Sequence, residues 1–512
     1  MGTSTSVEAK EYFSNLDKQT IKYSVDSETD KDLIKAFKKG FEDNRKEWIK
    51  ENTGKNVSLD FTILKQTISQ FVNHELINFS IADLERSIPN MMDGFKPSQR
   101  KVLFACLKRN LVSDIKVSQL SGYISEQTSY HHGEVSLQGT IINMAQDFVG
   151  SNNINLLIPS GQFGCRLLGG KDSASPRYIF TRLNPSTKIL FNENDNLLLD
   201  YLDDDGMSIE PKYYIPVIPM ILVNGSEGIG TGYSTNIPCY NPKDVINNLA
   251  KLIYSDGEAE LEPMIPWYKG FKGTIEKENE HKYITTGVWK RINPTNIEIS
   301  ELPIGKWTQP FKELLDSFIE SDDIIDYKNN CDDNSINFKI TIAKVKLDEL
   351  IEANEIEKKF KLTSSISTSN MHVFDSDCKI RKISCPEEII YRFYKVRKEH
   401  YITRKKYIID KLNSSLLVLD SKVKFIQLVI DEKIIVFNKK KDNISKQIEN
   451  YPEITKIDNS YDYLLDLKLW TLTEEKINNL VEKNNKLKEE LSNLIKKPIS
   501  EIWFEELDTL LE

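Results

Sequence analysis

Hydrophobic and polar positions change rhythm several times along the chain. Up to residue 80, short amphipathic segments alternate with polar stretches, and the charge density of "DNRKEWIKEN" predicts an exposed helix in a connecting region. From 81 to 150 the apolar residues fall at helical spacing. "FKPSQRKVLFACLKRN" carries a proline near its start, and "VSQLSGYISE" predicts a short second helix. "SYHHGEVSLQGTIINMAQDFVG" predicts a third, with Ser129 as candidate N-cap and Glu134 in the first turn. Three closely spaced helices followed by "FGCRLLGG" and "RYIFTRL" fit a winged helix-turn-helix.

Residues 184–385 read as α+β. Strand-like runs such as "YYIPVIPMILVNG", "KYITTGV", "NIEISELP" and "INFKITI" alternate with turns and one helix at "QPFKELLDSFIE". After Gly305 there is no further glycine, and none of the residues between Pro386 and Pro452 is proline. The segment 387–430 keeps apolar residues at three- and four-residue spacing, predicting a helix of about 65 Å at 1.5 Å per residue. "TEEKINNLVEKNNKLKEELSNLIKK" is expected to pack back against it as an antiparallel arm, with the tract between them capping its tip.

Length supports this multidomain α+β reading, because 512 residues with 39% hydrophobic content exceed one core and predict two to four domains. No apolar run is long enough to span a bilayer, and "MGTSTSVEAKEYF" lacks the regions of a secretion signal. The six cysteines are scattered and never form C-x-x-C, which argues against zinc ribbons and a disulfide framework. A net charge of −9 hides a local asymmetry. Residues 84–183 hold eleven Lys and Arg against seven Asp and Glu, together with His131 and His132 of the six histidines. Charge alone leaves a solvated surface and a phosphate-binding one equally open.

Within that window "GGKDSASPRYIFTRL" sets Tyr178 directly after Arg177 at the end of a run of glycines and small polar residues. Taken singly, one tyrosine among 21 reads as a half-buried packing residue. Its neighbours change that reading. "SYHHGEVSLQGTIINMAQDFVGSNNINLL", "GQFG" and "GGKDSASPRYIFTRL" resemble the breakage-reunion region of eukaryotic-type type IIA DNA topoisomerases. The likeness continues in "RSIPNMMDGFKPSQRKVLFACLKRN", "PMILVNGSEGIGTGYSTNIP", "ISELPIGKWTQPFKELL" and "YDYLLDLKLWTLTEEKI", and so covers nearly all of the chain.

The resemblance implies roles residue by residue. Tyr178 falls at the nucleophile that forms a 5′-phosphotyrosyl link, an ester that conserves the energy of the broken phosphodiester. Arg177 falls where a fixed cation holds the scissile phosphate. Lys96 and Arg100 in "FKPSQRK", and Tyr130 in "SYHHGE", fall at DNA-contacting positions, and His132 at that of a proton carrier or phosphate donor. Ile229 in "EGIG" matches a wedge inserted between base pairs to bend DNA. Without the resemblance, His132 would read as a surface histidine and Ile229 as core.

The implied domains are 1–80, the end of TOPRIM and connecting helices, then 81–183, a winged-helix domain with the catalytic tyrosine. Residues 184–385 would form a tower domain and 386–512 a coiled-coil arm ending in a dimerisation gate. In the gate, Tyr461, Leu464, Leu465 and Trp470 are expected to offer a self-complementary apolar face. Implied partners are double-stranded DNA, a second copy of the chain, and an ATPase and TOPRIM part in cis or on a separate polypeptide. No membrane is expected. Mg²⁺ ligands are expected in the TOPRIM domain and ATP in the ATPase, since neither constellation aligns here and "LDDDG", Asp203 to Asp205, reads as a solvated acidic loop. This chain is expected to be inactive in cleavage by itself. Localisation would be nuclear in a eukaryote and cytoplasmic or in a viral factory for a virus; "NKKKDN" at 438–443 reads as a solvated face. Two other classes compete: a non-catalytic architectural dimer, which has no need of Arg177–Tyr178, and a tyrosine recombinase, which links to the 3′ phosphate.

Overall fold

The computed structural model describes residues 4–55, 63–457, 459–467 and 474–511, and Trp470 lies outside them. Two compact units result, 1–396 with 509–512, and 397–508.

The first unit begins with short helices around Ala36, Trp48, Ile49, Val72, Ile77, Leu84 and Ile88. "DNRKEWIKEN" is helical, Glu42–Asn52, but not simply exposed, because Trp48 and Ile49 on one face join that core. The last helix of this group is α1, Ile77–Ser87. Next come α2 (Pro97–Lys108), β1 (Ile115–Lys116), α3 (Val117–Thr128), α4 (Glu134–Ala145), β2 (Leu157–Ser160) and β3 (Phe180–Leu183). Their strands form one antiparallel sheet in the order β1-β3-β2, with Ile115 opposite Thr181 and Leu157 opposite Leu183. Pro97 opens α2, where its missing N–H costs nothing. Ser129 is not the N-cap of α4. It closes α3 in the left-handed region at φ 47°, and α4 starts only after Gly133.

"YYIPVIPMILVNG" is not a strand. Pro216 and Pro219 interrupt it, and Met220–Asn224 turns helical, so its continuous apolar run reflects burial on all sides rather than a ladder. A hairpin follows, β4 (Ser226–Ile229) with β5 (Ser234–Ile237). A four-stranded antiparallel sheet with helix α5 (Thr308–Glu320) buries Ile297, Ile299, Phe311, Leu315, Phe338 and Ile340, as the alternation in "NIEISELP" and "INFKITI" predicts. Strand β6 (Met371–Phe374) pairs with Ile380–Ile383.

Helix α6 runs without a break from Pro386 to Ile430. In the second unit it meets α7 (Glu474–Lys496) and α8 (Ile499–Leu511) in antiparallel sense. Asp420 accepts from Asn484 at 2.7 Å, Lys405 donates to the Lys497 carbonyl at 2.7 Å, and the Tyr401 and Trp503 rings stand 5.0 Å apart. The tract between the helices forms its own core. Tyr461 and Leu464 point into it beside Phe425, Ile426 and Ile448, and Leu465 packs against it, so these residues do not form the exposed apolar face expected of them. Among the described residues of this tract, Ile435 and Phe437 are the large apolar side chains left exposed.

Candidate active site

The loop from 161 to 179, between β2 and β3, explains how a tyrosine reaches solvent at a defined place. Its first part is bolted down. The Gln146 amide donates to the carbonyls of Phe163 at 2.9 Å and Gly170 at 3.1 Å, and the Cys165 N–H reaches Asp172 at 3.1 Å. Arg166 makes a buried ion pair with Glu301, and its carbonyl accepts from the N–H of Thr308 at the start of α5. Gly164, at φ 92°, passes so near Gly170 that a Cβ would lie 2.5 Å from its carbonyl oxygen, so a side chain there would break the loop.

The second part brings Arg177 and Tyr178 to the surface. Buried Ile179 anchors the end, its carbonyl accepting from Val117 at 3.1 Å, while the Pro176 carbonyl accepts from Ser118 at 3.1 Å. Between these two clamps Tyr178 is 75% exposed and Arg177 is exposed as well. Neither side chain has a hydrogen bond or ion pair among the described residues, leaving phenol and guanidinium free for a ligand.

The same helix end is tied to the loop that carries the histidines. Ser118 passes its carbonyl to the Ser121 hydroxyl at 2.9 Å, and that hydroxyl reaches Glu134 of α4 at 3.2 Å, with Gln138 on the same carboxylate at 2.6 Å. Just before α4, the Tyr130 and His132 rings meet edge to face at 5.4 Å, with His132 exposed. His131 stands 3.6 Å from Asp204. Hydrogen bonding from Ser129 leads the effects that hold the Asp204 carboxyl below its usual range, with His131 contributing.

Asp203 to Asp205 form the bend of a hairpin, Tyr201–Asp204 with Met207–Pro211. Asp205 and Gly206 occupy the left-handed region, at φ 51° and 81°, and Asp203 accepts from the Gly206 N–H at 3.0 Å. Asp204 is thus engaged with the Ser129–His131 loop rather than merely solvated. Among the described residues no group of three His, Cys, Asp or Glu could hold a metal ion, and the Asp203–Asp205 bend does not fit Mg²⁺.

Lys96 and Arg100 take different surroundings from those expected of two phosphate contacts. Arg100 is 6% exposed; its fork grips Asp93 at 2.8 and 3.1 Å and the Phe95 carbonyl at 3.0 Å. Burial opposes its charge, but the Asp93 carboxylate, with Glu210 and Tyr214 adding, raises the guanidinium above its ordinary value. Nε and Nη2 are thus engaged inside the protein, while no hydrogen bond engages Nη1 among the described residues. The Lys96 ammonium donates to the Glu227 carbonyl at 2.7 Å, and burial lowers it below the ordinary lysine value. That bond reaches the β4–β5 hairpin, whose Ile229 stands 80% exposed. An isoleucine so far from any core is the strongest departure from ordinary burial in the "EGIG" motif. Sequence reasoning missed Asp93 and the Lys96–Glu227 bond, because backbone acceptors and distant carboxylates leave no local signature.

The fold and these residues define a class. Residues 86–508 match the family model for the A chain of DNA gyrase/topoisomerase IV, and residues 1–84 that for the C-terminal associated domain of TOPRIM. The whole chain is 46% identical over 524 residues to DNA topoisomerase 2, mitochondrial, of Dictyostelium discoideum, covering 40% of that protein. It is 42% identical to DNA topoisomerase 2 of Arabidopsis thaliana and 40% identical to human DNA topoisomerase 2-alpha, covering 37% of each. A crystal structure of the Plasmodium falciparum topoisomerase II DNA-binding, cleavage and re-ligation domain superposes with a TM-score of 0.85 at 42% identity, over 100% of this chain and 73% of that one. The chain belongs to the type IIA DNA topoisomerases, on the eukaryotic topoisomerase 2 side of that family. It spans about two fifths of the length of the curated relatives it matches.

Proposed function

We propose that the chain is the DNA breakage-reunion part of a type IIA topoisomerase, with Tyr178 as nucleophile. The observation that carries this is the pair Arg177–Tyr178, exposed and unpartnered between the Ser118 and Val117 clamps. In the reaction the Tyr178 Oη attacks a DNA phosphorus. A tyrosyl O–P bond forms, the P–O3′ bond breaks, and its electron pair leaves on O3′, which takes up a proton from solvent. The phenol proton passes to the ring of His132. Arg177 supports charge on the non-bridging oxygens. The products are a 5′-phosphotyrosyl ester and a 3′-hydroxyl, and reversal reseals the strand without an external energy source. Tyr130 lies on the same DNA-facing loop. Lys96 acts through the hairpin it holds, and Ile229 is the wedge that opens a base step.

The helix–strand–helix–helix–strand–strand order of α2, β1, α3, α4, β2 and β3 supports reading 81–183 as a winged helix. On this reading 1–80 closes the TOPRIM region, 184–385 is the tower, and 386–512 the arm. Mg²⁺ and ATP belong to other parts of the relatives' length. The partners are duplex DNA and a second copy of the chain, with exposed Ile435 and Phe437 as apolar candidates for self-association. Among the described residues no helix is long and apolar enough to cross a membrane. One experiment separates this reading from an architectural dimer. DNA mixed with the chain and a TOPRIM-containing partner is quenched with denaturant; a covalent complex lost in Tyr178→Phe supports the nucleophile, and its persistence in that variant sinks it.

A further inference from the structure

The EGIG turn raises a question that the wedge reading leaves open: what stops an exposed isoleucine on a hairpin tip from folding back? The strands of the hairpin are tied at their bases. Lys96 holds the Glu227 carbonyl, the Asn236 N–H reaches the Asn370 carbonyl at 2.7 Å, and the His372 N–H reaches the Thr235 hydroxyl at 3.1 Å. The connecting loop, Gly230–Tyr233, receives a side-chain hydrogen-bond acceptor from outside the hairpin. Asp83 of α1 accepts from both the backbone N–H and the hydroxyl of Thr231, each at 3.0 Å on the same carboxylate oxygen. Arg86, one turn further on, approaches the other oxygen at 3.5 Å.

The glycines make this contact possible. A Cβ on Gly228 would lie 2.0 Å from the Ser87 carbonyl oxygen, and one on Gly230 would lie 2.9 Å from Leu84. The hairpin tip therefore lies flat on the last turns of α1, and the only large side chain between the two glycines is turned away from the helix into solvent. Asp83 falls in the segment matched by the TOPRIM-associated model, Thr231 in the segment matched by the gyrase/topoisomerase IV model. The bond crosses the boundary between them.

We propose that Asp83 is the positioning residue for Ile229: it fixes the hairpin loop so that the wedge is preorganised, and it couples the wedge to the segment ending at α1. The proposal rests on the reading of Ile229 as a DNA wedge. Unstacking a base step opposes binding, and a wedge that must first be ordered adds that ordering to the cost. A loop tied by charged hydrogen bonds has less ordering left to do on binding.

The test uses the full chain and a duplex labelled at both ends, reading bending by energy transfer, affinity by anisotropy and integrity by melting temperature. Ile229→Ala checks the underlying reading. If it bends DNA as the parent does, the wedge reading fails and Asp83 has nothing to position. If it abolishes bending, Asp83→Ala and Thr231→Val are expected to lower the bent population about tenfold, the scale of one lost charged hydrogen bond. Affinity stays near the parental value, because Asp83→Ala removes no cation. Asp83→Asn keeps an oxygen acceptor for Thr231 and recovers most of the bending, a rescue that general destabilisation would not produce. Adding Asp83→Ala to Ile229→Ala changes bending no further. Should Asp83→Ala fail to fold, Thr231→Val carries the same test. Parental bending in either Asp83→Ala or Thr231→Val, with Ile229→Ala defective, overturns the proposal.

Discussion

The Lys96 ammonium donates to the Glu227 carbonyl at 2.7 Å, joining the N-cap of α2 to the strand that carries Ile229. A half-buried lysine spent on a backbone oxygen acts as a strut. Lys96→Met keeps the apolar stem and removes the donor, and is expected to cost about 1–2 kcal/mol. Hydrogen exchange should quicken across 226–237 while the core of α2 to α4 stays protected. Unchanged exchange in the hairpin would show that the other ties suffice.

Arg100 and Arg177 predict opposite behaviour. Arg100→Ala leaves Asp93, which is fully buried and also accepts from the Tyr214 N–H at 2.9 Å, without its counter-charge. The expected loss of stability is about 3–5 kcal/mol. Arg177→Ala, at an exposed and unpartnered position, should leave stability within about half a kcal/mol of the parent and remove covalent complex. Paired thermal melts and denaturant quenches check both.

This contrast marks what the sequence makes legible. The opening helices, the long helix α6 and the alternating strands of the four-stranded sheet follow from period and proline placement. Tyr178 and Ile229 were legible only through motif resemblance, because their exposure depends on Ile179, Ser87 and Gly170, none of which announces a partner. Arg100 illustrates the converse. "FKPSQRK" shows Lys96 and Arg100 four residues apart with Lys101 beside them, but only the fold reveals that Asp93 has taken Arg100. Tyr461 and Leu464 read as a free apolar face because the sequence does not say which way a short tract folds on itself.

A pH dependence follows from His372 beside the hairpin. Burial pushes its ring below the ordinary 6.5, with Lys46 and Lys382 adding to the effect against a bond to the Ser234 carbonyl at 2.9 Å. Below about 6.5 the unfolded chain takes a proton that the folded ring resists, so stability falls as pH drops through that value and levels off beneath the folded one. Melting curves between pH 7.5 and about 5 should show a steeper decline for the parent than for His372→Asn, whose amide nitrogen stands where Nδ1 does and keeps a donor for Ser234. Parallel curves would remove His372 as the cause.

Self-association should depend on the tract 431–472. Sedimentation is expected to show a dimer at micromolar concentration that Phe437→Glu weakens and deletion of 431–472 abolishes, since Phe437 is 78% exposed at that end. A dimer that survives the deletion would put the contact elsewhere.

With ordinary plasmid DNA and Mg²⁺, the isolated chain is expected to bind and bend but to yield no linear product after detergent and protease. The alkoxide at O3′ is a poor leaving group, and the described residues offer no metal cluster for it. Linear DNA would require Asp203 to Asp205 to be reconsidered. A better leaving group isolates the nucleophile from that requirement. Sulfur in place of O3′ leaves as a thiolate, whose conjugate acid has a pKa near ~8.5, far below that of an alcohol. The most direct measurement therefore mixes the chain with a pool of duplexes, each carrying one 3′-bridging phosphorothiolate at a different step, and maps any protein–DNA adduct by mass spectrometry. The account predicts an adduct joining the peptide that contains Tyr178 to a DNA 5′ end, absent from Tyr178→Phe. An adduct that persists in Tyr178→Phe, an attachment to the 3′ end, or no adduct with any member of the pool would contradict it.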